Sequence, residues 1–199
     1  EALALAPSDV ALHENFAKLL DASGHADAAI GQFQQVIELW PHLATAHFNI
    51  GQLLSRQGKT GEAERFYRRT LELNSQFGEA YIGMGSILMS QGELARAIDC
   101  FSKAVQLKPG LWEARLNLAL ALEKQGHRGD AIVNFTESLH LNPNSYIAHL
   151  HLGNLLADQG DVLTAMNHHT EAVRLQPDSA LAHFKEILRL QPQDAMTHF

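Results

Sequence analysis

Tyr81, Met84-Gly85, Leu88, Ala97, Phe101 and Pro109 form the stretch that decides the fold, because their pattern returns along the chain at a step of 34 residues. Prolines mark the step at Pro7, Pro41, Pro109, Pro143 and Pro177, with Ser75 in the place of the missing member. Glycine follows in the same phase at Gly24, Gly58, Gly92, Gly126 and Gly160, and alanine at Ala29, Ala63, Ala97, Ala131 and Ala165. A ring column, Phe33, Tyr67, Phe101 and Phe135, continues as His169, and a leucine column runs Leu39, Leu73, Leu107, Leu141 and Leu175. Chance does not put five columns in one register.

Within each period the apolar residues recur at i, i+3, i+4 and i+7 twice over, which predicts two amphipathic helices per unit. The glycine between them stands where the first helix must end in a left-handed conformation, open at low energy only to a residue without Cβ. The proline ends the second. Small residues at Ala46, Gly51, Ala80, Gly85, Ala114 and Ala119 allow the two helix backbones to approach, with the ring column filling the space between them. Full units are expected at 10–43, 44–77, 78–111, 112–145 and 146–179, with partial units at 1–9 and 180–199 in a single array covering 1–199.

These columns resemble the tetratricopeptide repeat family, whose signature is an aromatic, then Leu-Gly, a second aromatic, and Ala, Phe and Pro at fixed offsets. The fifth unit departs from it, reading His149, Leu152-Gly153, Leu156, Ala165, His169, Pro177. The resemblance implies an all-α fold, a right-handed α-solenoid of helix-turn-helix repeats whose first helices line a concave surface that binds extended or helical peptides.

Both ends lie inside the period. Glu1 to Pro7 parallels Ala172 to Pro177 and is expected to be the tail of a second helix rather than a leader. Ala195 to Phe199 parallels Ala44 to Phe48, as if a further first helix were beginning in a longer array. Pro177 and Pro192 are only 15 residues apart, 19 short of the period, so about half a repeat is expected to be missing near 179–185.

The 199 residues carry 15 Lys+Arg against 22 Asp+Glu, a net charge of −7, without the clustered cations that a nucleic acid or anionic membrane surface needs. No apolar run is long enough to span a bilayer. One cysteine, Cys100, excludes an internal disulfide and leaves the compartment open, with the cytoplasm slightly favoured. Gly58-Lys59-Thr60 resembles the end of a phosphate loop, but Leu53 stands where the loop needs glycine, and no strand precedes it. Catalytic elbows and metal helices of the His-Glu-x-x-His kind are absent, so no enzyme and no cofactor are expected.

Twelve histidines are present, and His149, His151, His168 and His169 crowd the fifth unit. At 100° per residue neither neighbouring pair chelates an ion from its own helix, although one residue from each helix could meet. The structural reading is preferred to a transition-metal site around His149 and His169: His149 fills the ring column with His13 and His47, His169 replaces phenylalanine, and the others are exposed. Cys100 is read as structural. Arg65, Arg68 and Arg69, interleaved with Glu62, Glu64 and Glu72, read as a solvated face.

A candidate binding strip lies off the core-facing seam of the first helices, which in the third unit comprises Ala80, Tyr81, Met84, Ile87 and Leu88. Phe48, Ile82, Leu116 and Leu150 form an apolar ladder there, broken only by Glu14 and extended by Met89 and Leu120. Packing by the adjacent repeat would account for such a ladder as well as a ligand would. Asn15, Asn49 and Asn117 recur beside it, interrupted by Gly83 and His151, and Asn154 lies one turn beyond Leu150. This column partly resembles the asparagine ladder of O-linked N-acetylglucosamine transferases, which implies amide hydrogen bonds to a peptide backbone. The carboxylate clamp of heat-shock co-chaperones is absent, since the corresponding pairs are Glu14/Lys18, Phe48/Gln52, Ile82/Ser86, Leu116/Leu120 and Leu150/Asn154. The expected function is a protein-binding scaffold. The alternative is the substrate-recruiting arm of a larger enzyme, such as a glycosyltransferase, and end-to-end self-association is expected through faces that lack a neighbouring repeat.

Overall fold

The structure, a computed structural model, describes residues 10–178. The partial units at 1–9 and 180–199, and the whole segment 179–185 where half a repeat is expected to be missing, lie outside the described residues. Every described helix belongs to a hairpin: α1 (Val10–Ala22) with α2 (Ala26–Leu39), α3 (Ala44–Arg56) with α4 (Thr60–Leu73), α5 (Gly78–Ser90) with α6 (Leu94–Leu107), α7 (Trp112–Gln125) with α8 (Arg128–Leu141), and α9 (Tyr146–Asp158) with α10 (Val162–Leu175). Among the described residues there is no strand. The fold is an all-α solenoid of repeated hairpins.

The columns explain why each helix stops where it does. Gly126 caps α7 at φ +88°, and the other four glycines of its column sit between +75° and +85°, the left-handed region where a side chain strains the backbone. Ser75 serves without the ring of proline because Asn74 already leaves the helix, with its backbone N–H bonded to Thr70 and its side chain accepting from the Gln76 N–H.

The chain divides into two compact units, Glu1–Leu107 and Lys108–Phe199. In the first, α2 packs on α3, α4 on α5, and α3 also touches α5. Its core joins Ala29, Phe33, Ala46, Ile50, Ala63, Tyr67 and Ile87, all buried. Gly51 and Gly85 are required by closeness: a Cβ at Gly85 would lie 2.7 Å from the Phe101 ring. In the second unit α8 packs on α9, and Ala114, Ala119, Ala131, Phe135 and Ala148 are fully buried. Fully burying rings of this size contributes roughly 1.5–3 kcal/mol each, so the ring column holds each hairpin closed.

Candidate functional site

In the first unit Phe48 is half-buried, its ring 4.7 Å from Phe77 and 6.0 Å from Tyr67. Ile82 and Met89 are also half-buried, Asn49 is half-buried beside Phe48, and Asn15 is exposed. Glu14, the polar break in the ladder, accepts a 2.8 Å hydrogen bond from the Thr45 hydroxyl and so ties α1 to α3.

Tyr67, which the sequence marks only as a member of the ring column, also shapes this face. A Cβ at Gly51 would stand 2.9 Å from its ring and one at Gly83 only 2.5 Å, so the ring is threaded between α3 and α5 where the asparagine column is interrupted. Burial raises its pKa, opposed by a hydrogen bond with Ser55 and by Arg56. Asp21, Gln52, Ser55, Arg56 and Tyr67 line a shallow polar cleft of about 260 Å³, closed on one side by the Arg56–Asp21 ion pair. Only the pairing of glycine at 83 with a tyrosine sixteen positions earlier could have signalled it.

In the second unit Leu116 and Leu150 are 7% and 3% exposed, so this half of the ladder is packed rather than open. Leu150 closes on Ala172 across its own hairpin. Angular bookkeeping on one helix misses this, because α9 is held by both α8 and α10 and buries a wider arc than a single seam. Leu120, Asn117 and Asn154 remain half-buried. Among the described residues none engages the side-chain amides of Asn15, Asn49, Asn117 or Asn154. His151, standing in the asparagine column, stacks on Phe135 at 5.7 Å and 19° and places Nδ1 2.7 Å from the Glu123 carboxylate.

The histidines form defined pairs. His149 Nε2 lies 3.0 Å from the Pro143 carbonyl, which accepts only, so that nitrogen carries the proton and Nδ1 keeps a lone pair. His168 Nδ1 stands 2.9 Å away and donates to it. Neither His151 nor His168 is exposed as the sequence suggests: each is half-buried against a partner on another helix. Burial lowers the pKa of His168, and His149 lowers it further. His47 repeats the arrangement, with Nε2 3.1 Å from the Pro41 carbonyl. Its pKa is lowered by burial, opposed by that hydrogen bond and assisted by Arg69. Among the described residues no three metal-ligating side chains converge. Burial and Asp99 raise the Cys100 pKa, with Arg96 opposing, so the thiol stays protonated. Arg68 pairs with Glu64 at 2.6 Å and Arg69 with Glu72 at 2.9 Å, both in solvent.

Stacked hairpins with glycine turns and ring-filled seams define a helical-repeat interaction scaffold. The chain belongs to the tetratricopeptide repeat family: its sequence matches the family's models for the tetratricopeptide repeat over 15–76 and 116–180 and for the TPR repeat over 85–126. No curated protein matches the sequence significantly. Similar solved structures include YrrB, described as a TPR protein with an unusual peptide-binding site, at 22% identity and TM-score 0.69 over 93% of this chain and 96% of that one. Pseudomonas aeruginosa PilF is similar at 19% identity and TM-score 0.77 over 92% of both chains. The Cut9–Hcn1 hetero-tetramer of the APC/C gives 19% identity and TM-score 0.82, over 94% of this chain and 38% of that one. At these identities the likeness is one of fold. Among the described residues no helix is long and apolar enough to cross a membrane.

Proposed function

We propose that the first-helix face of each unit binds polypeptide, without catalysis, through half-buried apolar side chains flanked by asparagine amides. In the first unit the contacts are Phe48, Ile82 and Met89 with Asn15 and Asn49; in the second they are Leu120 with Asn117 and Asn154, backed from beneath by Leu116 and Leu150. The observation that carries the reading is that, among the described residues, nothing engages the Asn49 and Asn117 amides, each beside apolar side chains and partly withdrawn from water. An amide so placed offers one acceptor and two donors, the set that an extended backbone satisfies.

The test uses a peptide selected for binding to the whole chain. Asn49→Ala combined with Asn117→Ala is expected to weaken it by about tenfold or more, as lost hydrogen bonds of roughly 1 kcal/mol each would. Unchanged affinity with helicity retained puts the binding elsewhere. Leu116→Asp is a poor probe, since a charge on a buried side chain reports stability first.

We infer also that α10 is a self-association face. Met166 is 59% exposed, and Val173 and Leu163 are exposed with it. The corresponding residues one period earlier, Ile132 and Leu139, lie on α8, which packs on α9, and Leu139 is only 8% exposed there. Sedimentation at high concentration should show dimers that Met166→Glu removes; a monomer throughout contradicts the inference.

A further inference from the structure

The polar cleft of about 260 Å³ between α1 and α3 continues the first-helix face on which Phe48 stands. Gln52, Ser55 and Arg56 follow Phe48 on α3 at steps of four, seven and eight residues, which keeps all of them on one side of the helix. The Tyr67 ring lies 6.0 Å from Phe48, passes Gly51 along one edge and ends at Gly83. There a Cβ would stand 2.5 Å from Cζ, the carbon that carries the hydroxyl, so the hydroxyl lies beside the gap that Gly83 leaves in the asparagine column. His151, a side chain of that column, has the same relation to its own ring residue: it stacks on Phe135, sixteen positions earlier, as Tyr67 stands sixteen before Gly83. Phe33, Phe101 and Phe135 bring no hydroxyl to this place.

Charge decides what the cleft can hold. Arg56 and Asp21 are paired through one guanidinium nitrogen and one carboxylate oxygen, with side chains 61% and 31% exposed, so donors of the one and an acceptor of the other stay open side by side. Gln52 adds an exposed amide that nothing engages among the described residues, and Tyr67, whose proton is held by burial, adds a donor. A carboxylate drawn to Arg56 would meet the charge of Asp21, and an ammonium drawn to Asp21 would meet that of Arg56. An apolar group would strip water from the pair and replace none of its hydrogen bonds. A hydroxyl offers both roles from one atom and does not span the pair. A primary carboxamide is neutral and holds its acceptor and donors side by side, the oxygen accepting from Arg56 and Tyr67 while the NH2 donates to the second oxygen of Asp21. We propose that this cleft is a subsite for the side-chain carboxamide of a glutamine or asparagine in a polypeptide that passes over Phe48, an assignment that rests on the reading of this face as polypeptide-binding.

The experiment titrates the whole chain with N-acetyl-glutamine methylamide, with its glutamate and lysine counterparts and with free glutamine, read by the Arg56 Nε–H and Tyr67 ring signals in nuclear magnetic resonance. The blocked glutamine should saturate these shifts and bind about tenfold or more tightly than the blocked glutamate, the usual penalty for a mismatched polar group. Asp21→Asn removes the repelling charge from an exposed pair, which spares the fold, and should reverse that order. Tyr67→Phe keeps the ring that the other units use and should weaken the blocked glutamine by about fivefold or more. Blocked glutamate or lysine binding the unaltered chain as tightly as blocked glutamine overturns the proposal. So does an order that Asp21→Asn leaves unchanged, or a lack of saturation by blocked glutamine, whether or not free glutamine binds. The asparagine variants keep the two readings apart: peptide affinity lost in Asn49→Ala with Asn117→Ala, beside a cleft that refuses blocked glutamine, sinks the subsite alone.

Discussion

The second and fifth hairpins are built on one pattern and differ at the position that faces a shared histidine. His47 and His149 both stand at the repeat's first aromatic position, held by Tyr81 in the third unit, and both hold a proline carbonyl, at 3.1 and 3.0 Å. Opposite them stand Phe66 and His168. With histidine opposite, the ring is locked by a 2.9 Å hydrogen bond; with phenylalanine opposite, the same nitrogen is buried without a partner. The paired helices recur across this change, so one side chain turns a packing position into either a polar lock or a buried, unmet acceptor. A repeat protein varies its chemistry in this way without altering its scaffold.

The largest effects should come from the seams that both hairpins share. Gly51→Ala places a Cβ 2.9 Å from a Tyr67 ring already confined by Gly83, and overpacking of this kind costs about 1–3 kcal/mol, against up to about 1 kcal/mol of helix propensity gained. Gly153→Ala meets His169 at 2.7 Å, but that side chain is half-exposed and has room to swing. Urea unfolding should rank Gly51→Ala as the more damaging, and the reverse order breaks the claim that the tyrosine is the tighter wedge.

Exchanging the facing residues comes next. His168→Phe makes the fifth hairpin imitate the second and should cost about 1–2 kcal/mol by leaving His149 Nδ1 unmet. Phe66→His should stabilise by about 0.5–1 kcal/mol near pH 7.5. Midpoints that move in the same direction for both variants would show that the pairs are not equivalent.

Acid should reveal the pairs more gently. The folded-state pKa values of His47 and His168 are lowered from 6.5, so below that pH the unfolded chain binds more protons than the folded one. Their contribution is fully present above about pH 6.5 and is lost as pH falls through 6.5 toward the folded values. Stability measured from pH 7.5 to 5.5 should therefore decline, and less steeply in His168→Phe. A flat profile refutes the assignment. Smallest of all, Arg68→Ala breaks an exposed pair with Glu64 and should move the urea midpoint by no more than about 0.5 kcal/mol of stability.

The fold was legible because every column repeats a local rule: glycine at a left-handed turn, small residues at a seam, a ring to fill it. The candidate site was legible only in part. Asn49 and Asn117 could be placed beside an apolar strip by helical angle, yet the burial of Leu150 could not, since it depends on Ala172 in the other helix of the hairpin. The threading of Tyr67 past Gly51 and Gly83 depends likewise on a ring reaching two helices at once.

By itself, then, the sequence determined which residues form helices, where they end, and that they pair and repeat, because those outcomes follow from periodicity and backbone preference within tens of residues. Tertiary structure alone decided which ring nitrogens have partners and which leucines are covered. His149 and His168 lie nineteen positions apart and meet at 2.9 Å only because the hairpin closes between them. A hydrogen bond depends on tenths of an ångström, which periodicity does not carry.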